Sequence, residues 1–157
     1  MLTSYHRLCA YLALYIEHAT GSPSVDHVVP KSKAWDKVYE WSNYRLACAL
    51  VNAHKNDADL VLDPFEMGGG LFALEFVEFQ VIAGPSAQGR TATQVSTTIT
   101  TLGLNSSDCC KARREYVESY EEGHIDLPYL KRRAPFIAQE LRRQGRLRQK
   151  EVQVSPG

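Results

Sequence analysis

No stretch of this chain stays apolar long enough to span a bilayer. The longest candidate, LFALEFVEFQVIAG, is broken by Glu75 and Glu78. Excess charge of either sign is also missing: 18 basic residues balance 18 acidic ones. That balance excludes the strongly basic proteins whose affinity for nucleic acid is broad and non-specific. The chain has four cysteines, Cys9, Cys48, Cys109 and Cys110, and none forms a C-x-x-C pair. They are expected as reduced thiols in or near the core. No internal repeat or composition break divides the 157 residues, which read as a single domain, 1–157. The apolar and charged fractions, 44% and 23%, exclude disordered and collagen-like classes.

The N-terminal segment, MLTSYHRLCAYLALYIEH, is apolar enough to suggest a secretory leader. It ends in Glu17 and His18 with no small-residue cleavage site, so the expectation is a helix over Tyr5 to Glu17 and a cytoplasmic protein. Leu8, Leu12, Tyr15 and Ala19 would line its buried face. A turn cluster, Thr20 to Ser24, leads into a short β-rich run, VDHVV, that Pro30 stops. After a loop carrying Lys31, Lys33 and Trp35, the segment from Trp41 begins extended and turns helical from Cys48 to Asp59. Alternation over Leu71 to Ala83 predicts one or two antiparallel strands, with a hairpin as one arrangement. A short helix, or a strand running into a helix, is expected over Thr93 to Leu104. Another, capped by Ser106 or Ser107, runs to Glu122. Asp126 and Pro128 open a last helical stretch, which Pro135 kinks or divides. The tail after Arg148 is patternless. The fold class is therefore α+β, with an N-terminal helix, a short antiparallel region and C-terminal helices.

The chemistry concentrates in VDHVVPKS and WSNYRLACALVNAHKND. Side chains alternate along a strand, so Asp26 and His27 point to opposite sides, one to a metal and one to a substrate. A strand–loop–strand–helix unit brings Asn43 and Asn52 to the same place, provided the helix packs back to bury Leu46, Leu50 and Val51. Carboxylate and amide oxygens suit a hard cation such as Mg²⁺ or Mn²⁺, with Asp26 and Asn52 as ligands. His27 is then free as a general base for water attacking a phosphodiester. Asn43 is cast as the residue that holds the loop and orients His27. Lys31 and Lys33 flank the site, either as phosphate contacts or as solvated surface. Lys55 and His54 complete the candidate substrate contacts, with His54 otherwise facing solvent.

This stretch resembles the HNH (ββα-metal) endonuclease motif in its D-H…N…N form. The resemblance implies a catalytic core over residues 25–57, with Asp26 and Asn52 on the metal, His27 as base and Asn43 supporting the loop. Pro30-Lys-Ser32 and Lys55 also fit that pattern. Beyond the core, VLDPF, the strand region and TITTLGLN with its following arginine-bearing helix resemble bacterial HNH proteins with a C-terminal extension, here residues 71–150. Some of those act in anti-phage defence beside an ATPase. DNA is the substrate implied, by analogy. Many HNH proteins add two C-x-x-C pairs around a structural zinc. Here Leu12 and Val51 stand where the second cysteines would be, which disfavours zinc and suggests that the N-terminal helix packs in its place.

Blander readings compete at several positions. The hairpin–helix shell can bind nucleic acid or a protein partner without catalysis, or serve as a zinc-stabilised adaptor. Trp35 and Trp41 can stack on bases, but core packing is the expectation for Trp41. Arg132, Arg133, Arg142, Arg143 and Arg146 can track a phosphate backbone or form a solvated helix face. Cys109-Cys110 reads as packing.

Overall fold

The computed structural model describes residues 1–58 and 60–149. Among them, strand β1 (Pro23–His27) pairs antiparallel with β2 (Tyr44–Cys48), and helix α1 (Ala49–Lys55) follows β2 directly. The register sets Asp26 opposite Arg45 and His27 opposite Tyr44. Two short 3₁₀ turns, Trp35–Lys37 and Trp41–Asn43, lie in the connection between the strands. A second hairpin joins β3 (Phe72–Leu74) to β4 (Val81–Ala83). Four more helices follow among the described residues: α2 (Arg90–Thr101), α3 (Ser107–Glu121), α4 (Leu127–Arg133) and α5 (Pro135–Arg143). The class is α+β. No helix among the described residues is long and apolar enough to cross a membrane.

Local chemistry explains the C-terminal half. Ser106 caps α3 by accepting the Cys109 N–H at 3.4 Å, and Asp126 caps α4 by accepting the Tyr129 N–H at 2.7 Å. Pro135 ends α4 and opens α5 at its first turn, where a missing N–H costs nothing. The helices close on a core built from Leu74, Val117, Tyr120, Leu130, Ile137 and Leu141, with Leu14 reaching in from the N-terminal segment. Each fully buried side chain of this kind contributes about 1.5–3 kcal/mol. Glu140, buried in α5, ties this half to β3 by accepting the Leu74 N–H at 2.9 Å.

The N-terminal helix expected over Tyr5 to Glu17 does not form. Those residues make successive turns closed by a bridge between Leu8 and Tyr15. Cys9 N–H donates to Leu14 O (2.9 Å) and Ala13 N–H to Cys9 O (2.8 Å), so the chain doubles back around Ala10 to Ala13. His6, Arg7 and Ala13 adopt positive φ (49°, 59° and 51°), which no helix tolerates. Long-range backbone bonds offset that strain: Ala10 N–H to Leu46 O at 2.8 Å and Tyr15 N–H to Arg133 O at 2.8 Å. Cys9, Leu14 and Ile16 are buried instead of the expected face, and Ala19 is exposed. Leu12 and Val51, at the positions that C-x-x-C pairs would occupy, pack with Cys9 and Cys48 in two adjoining apolar clusters. A compact apolar turn, not a helix, braces this end of β2.

Smaller corrections accompany that one. Helix α1 stops at Lys55, short of the expected end at Asp59, which lies outside the described residues, as does the tail from Lys150. Leu46 and Val51 are buried as expected, but Leu50 faces outward.

Candidate functional site

Residues Ser24 and Asp26 of β1 face helix α1, and Asn52 and Lys55, one helical turn apart, face back. Two polar rungs result. Asn52 Nδ2 donates to Ser24 Oγ at 2.7 Å, and Lys55 Nζ donates to Asp26 Oδ1 at 3.1 Å. Lys55 also donates to the His27 carbonyl at 2.6 Å, and the Tyr11 hydroxyl donates to Asp26 Oδ2. Asp26 and Lys55 are almost fully enclosed, with side chains 4% and 2% exposed. Burial first, and the Asp26 carboxylate second, push the Tyr11 phenol well above its ordinary range. Tyr11 thus stays protonated and acts as a donor.

Lys55 was expected to meet substrate. The structure instead makes it the counter-ion of Asp26, because a carboxylate so enclosed is costly without one. Tyr11 was not foreseen at all. Its link to Asp26 depends on the doubled-back turn, for which no local sequence signal exists.

His27 projects to the other side of β1 and is half-buried. Its ring stands edge-on to Tyr44, with centroids 4.9 Å apart and planes at 89°. Burial, then the positive charge of Lys31, lowers its pKa, while a hydrogen bond to the Val38 carbonyl acts against them. The imidazole is therefore neutral at pH 7, with a lone pair available.

The loop that places Val38 is fastened by Asn43. Asn43 Oδ1 accepts the Val29 N–H at 2.8 Å, and its Nδ2 donates to Val29 O at 3.2 Å and Lys37 O at 3.1 Å. One buried amide thus satisfies both ends of the connection around His27. This is the loop-holding geometry read from the sequence.

His54 lies on the outer side of α1, its Nδ1 3.2 Å from Leu102 O, and its ring covers Gly103. Lys31 and Lys33 are exposed on the loop after β1. Trp41, expected in the core, is 65% exposed. Below β2, Arg45 binds Asp63 through two parallel bonds of 2.8 and 2.5 Å and lies over the Phe65 ring. VLDPF is therefore a clamp on β2, a role the sequence reading did not assign.

The C-terminal arginines are largely engaged within the fold. Arg113 is buried and donates to Phe79 O and Leu104 O at 3.1 and 2.6 Å. Arg133, Arg143 and Arg146 pair with Glu17, Glu140 and Glu121. Arg132 lies over the Tyr129 ring. These contacts favour the structural reading of the arginine-rich helices over a phosphate track.

Carboxylate, amide and hydroxyl oxygens, the types that Asp26, Asn52 and Ser24 carry, are hard donors of the kind Mg²⁺ and Mn²⁺ accept. Among the described residues no group of three or more His, Cys, Asp or Glu side chains gathers, so any cation here would rely on these oxygens and on water. The donor chemistry fits such an ion, with one condition: both Asp26 oxygens are held, by Lys55 and Tyr11, and the ion would share or take over one of them. A scan against protein-family models finds no match to the chain, and a search of curated proteins finds none either.

Proposed function

We propose that the chain is an HNH-type, metal-dependent endonuclease that hydrolyses phosphodiester bonds, with DNA as the substrate. The observation that carries this reading is the setting of His27. Its neutral imidazole stands edge-on to Tyr44, whose hydroxyl holds the Val38 carbonyl of the loop that the Asn43 amide fastens at Val29 and Lys37. Such care over the orientation of one half-buried histidine is what a general base requires.

In this reading His27 takes a proton from the water that attacks phosphorus. The bond from phosphorus to the 3′ oxygen breaks and that oxygen takes a proton from solvent water, leaving a 3′-hydroxyl and a 5′-phosphate, while His27 returns its proton to solvent. A divalent cation held by Asp26 and Asn52 would supply charge neutralisation for the phosphate and the leaving oxygen. Asn43 keeps the loop, and hence Val38, in register with His27. Lys31 meets the phosphate and lowers the His27 pKa at the same time. The neutral net charge and the engaged arginines support a further element: a protein partner, such as the ATPase of a defence system, supplies part of the DNA affinity.

The Lys55–Asp26 pair favours a second reading, in which Lys55 is a permanent counter-ion and the unit binds nucleic acid without cutting it. Plasmid nicking in Mg²⁺ or Mn²⁺ separates the two. The first predicts nicking by the parent chain and none by His27→Ala; equal residual activity in both would remove His27 from the chemistry. Nicking by neither, alone or with a partner, leaves the second.

A further inference from the structure

The loop between β1 and β2 turns three aromatic rings outward: Trp35, Tyr39 and Trp41 are 77%, 85% and 65% exposed. Exposing rings on this scale loses the burial that each could gain in a core. The single large aliphatic residue among them, Val38, points inward and is buried. One of the rings, Trp41, is joined to the candidate base. Trp41 stands edge-on to Tyr44, with centroids 6.0 Å apart, and Tyr44 stands edge-on to His27 at 4.9 Å. The Tyr44 hydroxyl donates to Val38 O at 2.5 Å, the carbonyl to which His27 also bonds. Exposed Lys31 and Lys33 precede the rings on the loop and Lys37 lies between two of them, against Asp36 and Glu40.

From this juxtaposition we infer that the loop is a stacking platform for unpaired nucleotides, so that the site takes single-stranded nucleic acid in preference to a duplex. The inference rests on the phosphodiesterase reading and adds its substrate class. Flat rings presented to solvent beside ammonium groups match bases alternating with phosphates. In a duplex the base faces are covered by their neighbours, and rings on a surface loop have nothing to stack on. Aromatic rings also mark protein interfaces, so the ammonium groups beside these rings carry the choice of a phosphate-bearing ligand. The shared chemistry of unpaired DNA and unpaired RNA is an exposed base face on a phosphate chain, and both are admitted by these residues.

Both tryptophans of the chain lie in this loop, so intrinsic fluorescence reports on it alone. The full chain is titrated in EDTA, without divalent cation, with short oligo(dT), oligo(rU) and a duplex of equal length. Tryptophan quenching and the anisotropy of labelled strands are followed together. Single strands should quench the emission and bind more tightly than the duplex. Trp35→Ala should weaken that binding about 5- to 100-fold, the loss expected for one stacked base. Trp35→Phe should restore most of it, and Val77→Ala, an exposed apolar position outside this loop, should bind like the parent. The dT and rU arms tell DNA from RNA. Equal or tighter binding of the duplex overturns the inference. So does Trp35→Ala binding single strands like the parent; if it then loses a defined protein contact instead, the platform is a protein-docking surface. Since the titration involves no cleavage, selective single-strand binding with no cleavage of the same single strands in Mg²⁺ or Mn²⁺ would count against the nuclease reading and leave the platform standing.

Discussion

Replacing Lys55 by Met tests how the site is balanced. The substitution keeps the length of the side chain and removes its charge. Asp26 would be left enclosed, with only the Tyr11 hydroxyl on one oxygen, and the His27 carbonyl would lose the ammonium 2.6 Å away. With both side chains almost wholly inaccessible, breaking such a pair from one side costs roughly 3–5 kcal/mol. For a domain of this size that corresponds to a fall in Tm of about 6–20 °C. Urea denaturation gives the free energy directly. The double variant Asp26→Asn, Lys55→Met should recover at least ~2 kcal/mol of the loss, because no lone charge is then buried. Mg²⁺ discriminates further. If Asp26 is a cation ligand, Mg²⁺ should stabilise Lys55→Met more than the parent, by ~1.4 kcal/mol at ten times its Kd. It should leave the double variant unchanged. A loss below ~1 kcal/mol for Lys55→Met, or a double variant as unstable as the two single losses added, would refute this account of the pair.

The remaining predictions concern the loop, the base and the N-terminal turn. Asn43→Asp keeps the acceptor for Val29 N–H but turns an anionic oxygen toward the Val29 and Lys37 carbonyls. It should therefore destabilise the fold by ~2–4 kcal/mol, at least as much as Asn43→Ala, whereas a near-neutral Asn43→Asp would show the amide donor to be dispensable. The His27 pKa is lowered by burial and Lys31, so kcat/KM for cleavage should rise with pH to a plateau whose midpoint lies below the ordinary imidazole range. Lys31→Ala should move that midpoint upward, and an unmoved midpoint would discount the lysine. Leu12→Cys with Val51→Cys completes two C-x-x-C pairs with Cys9 and Cys48. The purified double variant should retain about one zinc per chain by elemental analysis, and a zinc-free protein would mean that the four positions do not converge.

Much of the site could be read from the sequence because it depends on short-range rules. Strand alternation separates Asp26 from His27, and one helical turn aligns Asn52 with Lys55. Asn43 was legible through its position in the motif, and the Ser106 cap, the Asp126 cap and the break at Pro135 through local chemistry. The failures have a common cause. Leu8, Leu12 and Tyr15 recur at helical spacing, yet backbone bonds to Leu46 and Arg133 draw the segment into turns at non-glycine residues. Long-range bonds leave no trace in local periodicity. Tyr11 escaped notice for that reason, and Arg45–Asp63 because its partners are distant in sequence. The burial of Lys55 and the exposure of Trp41 reversed the usual preferences of those residue types, which happens where charge or recognition outweighs solvation.

The path from Asp26 through Tyr11 to the N-terminal turn continues outward. Tyr15 in that turn hydrogen-bonds to Arg133 O, lies 3.6 Å beneath the Arg133 guanidinium, and neighbours Glu17, which pairs with the same arginine. The carboxylate at the centre of the site is thus braced, residue by residue, against the end of α4. Residues 25–57 are for this reason not a portable cassette. Grafted alone onto another scaffold, they would carry every residue the motif names and leave behind the phenol that holds Asp26 in place.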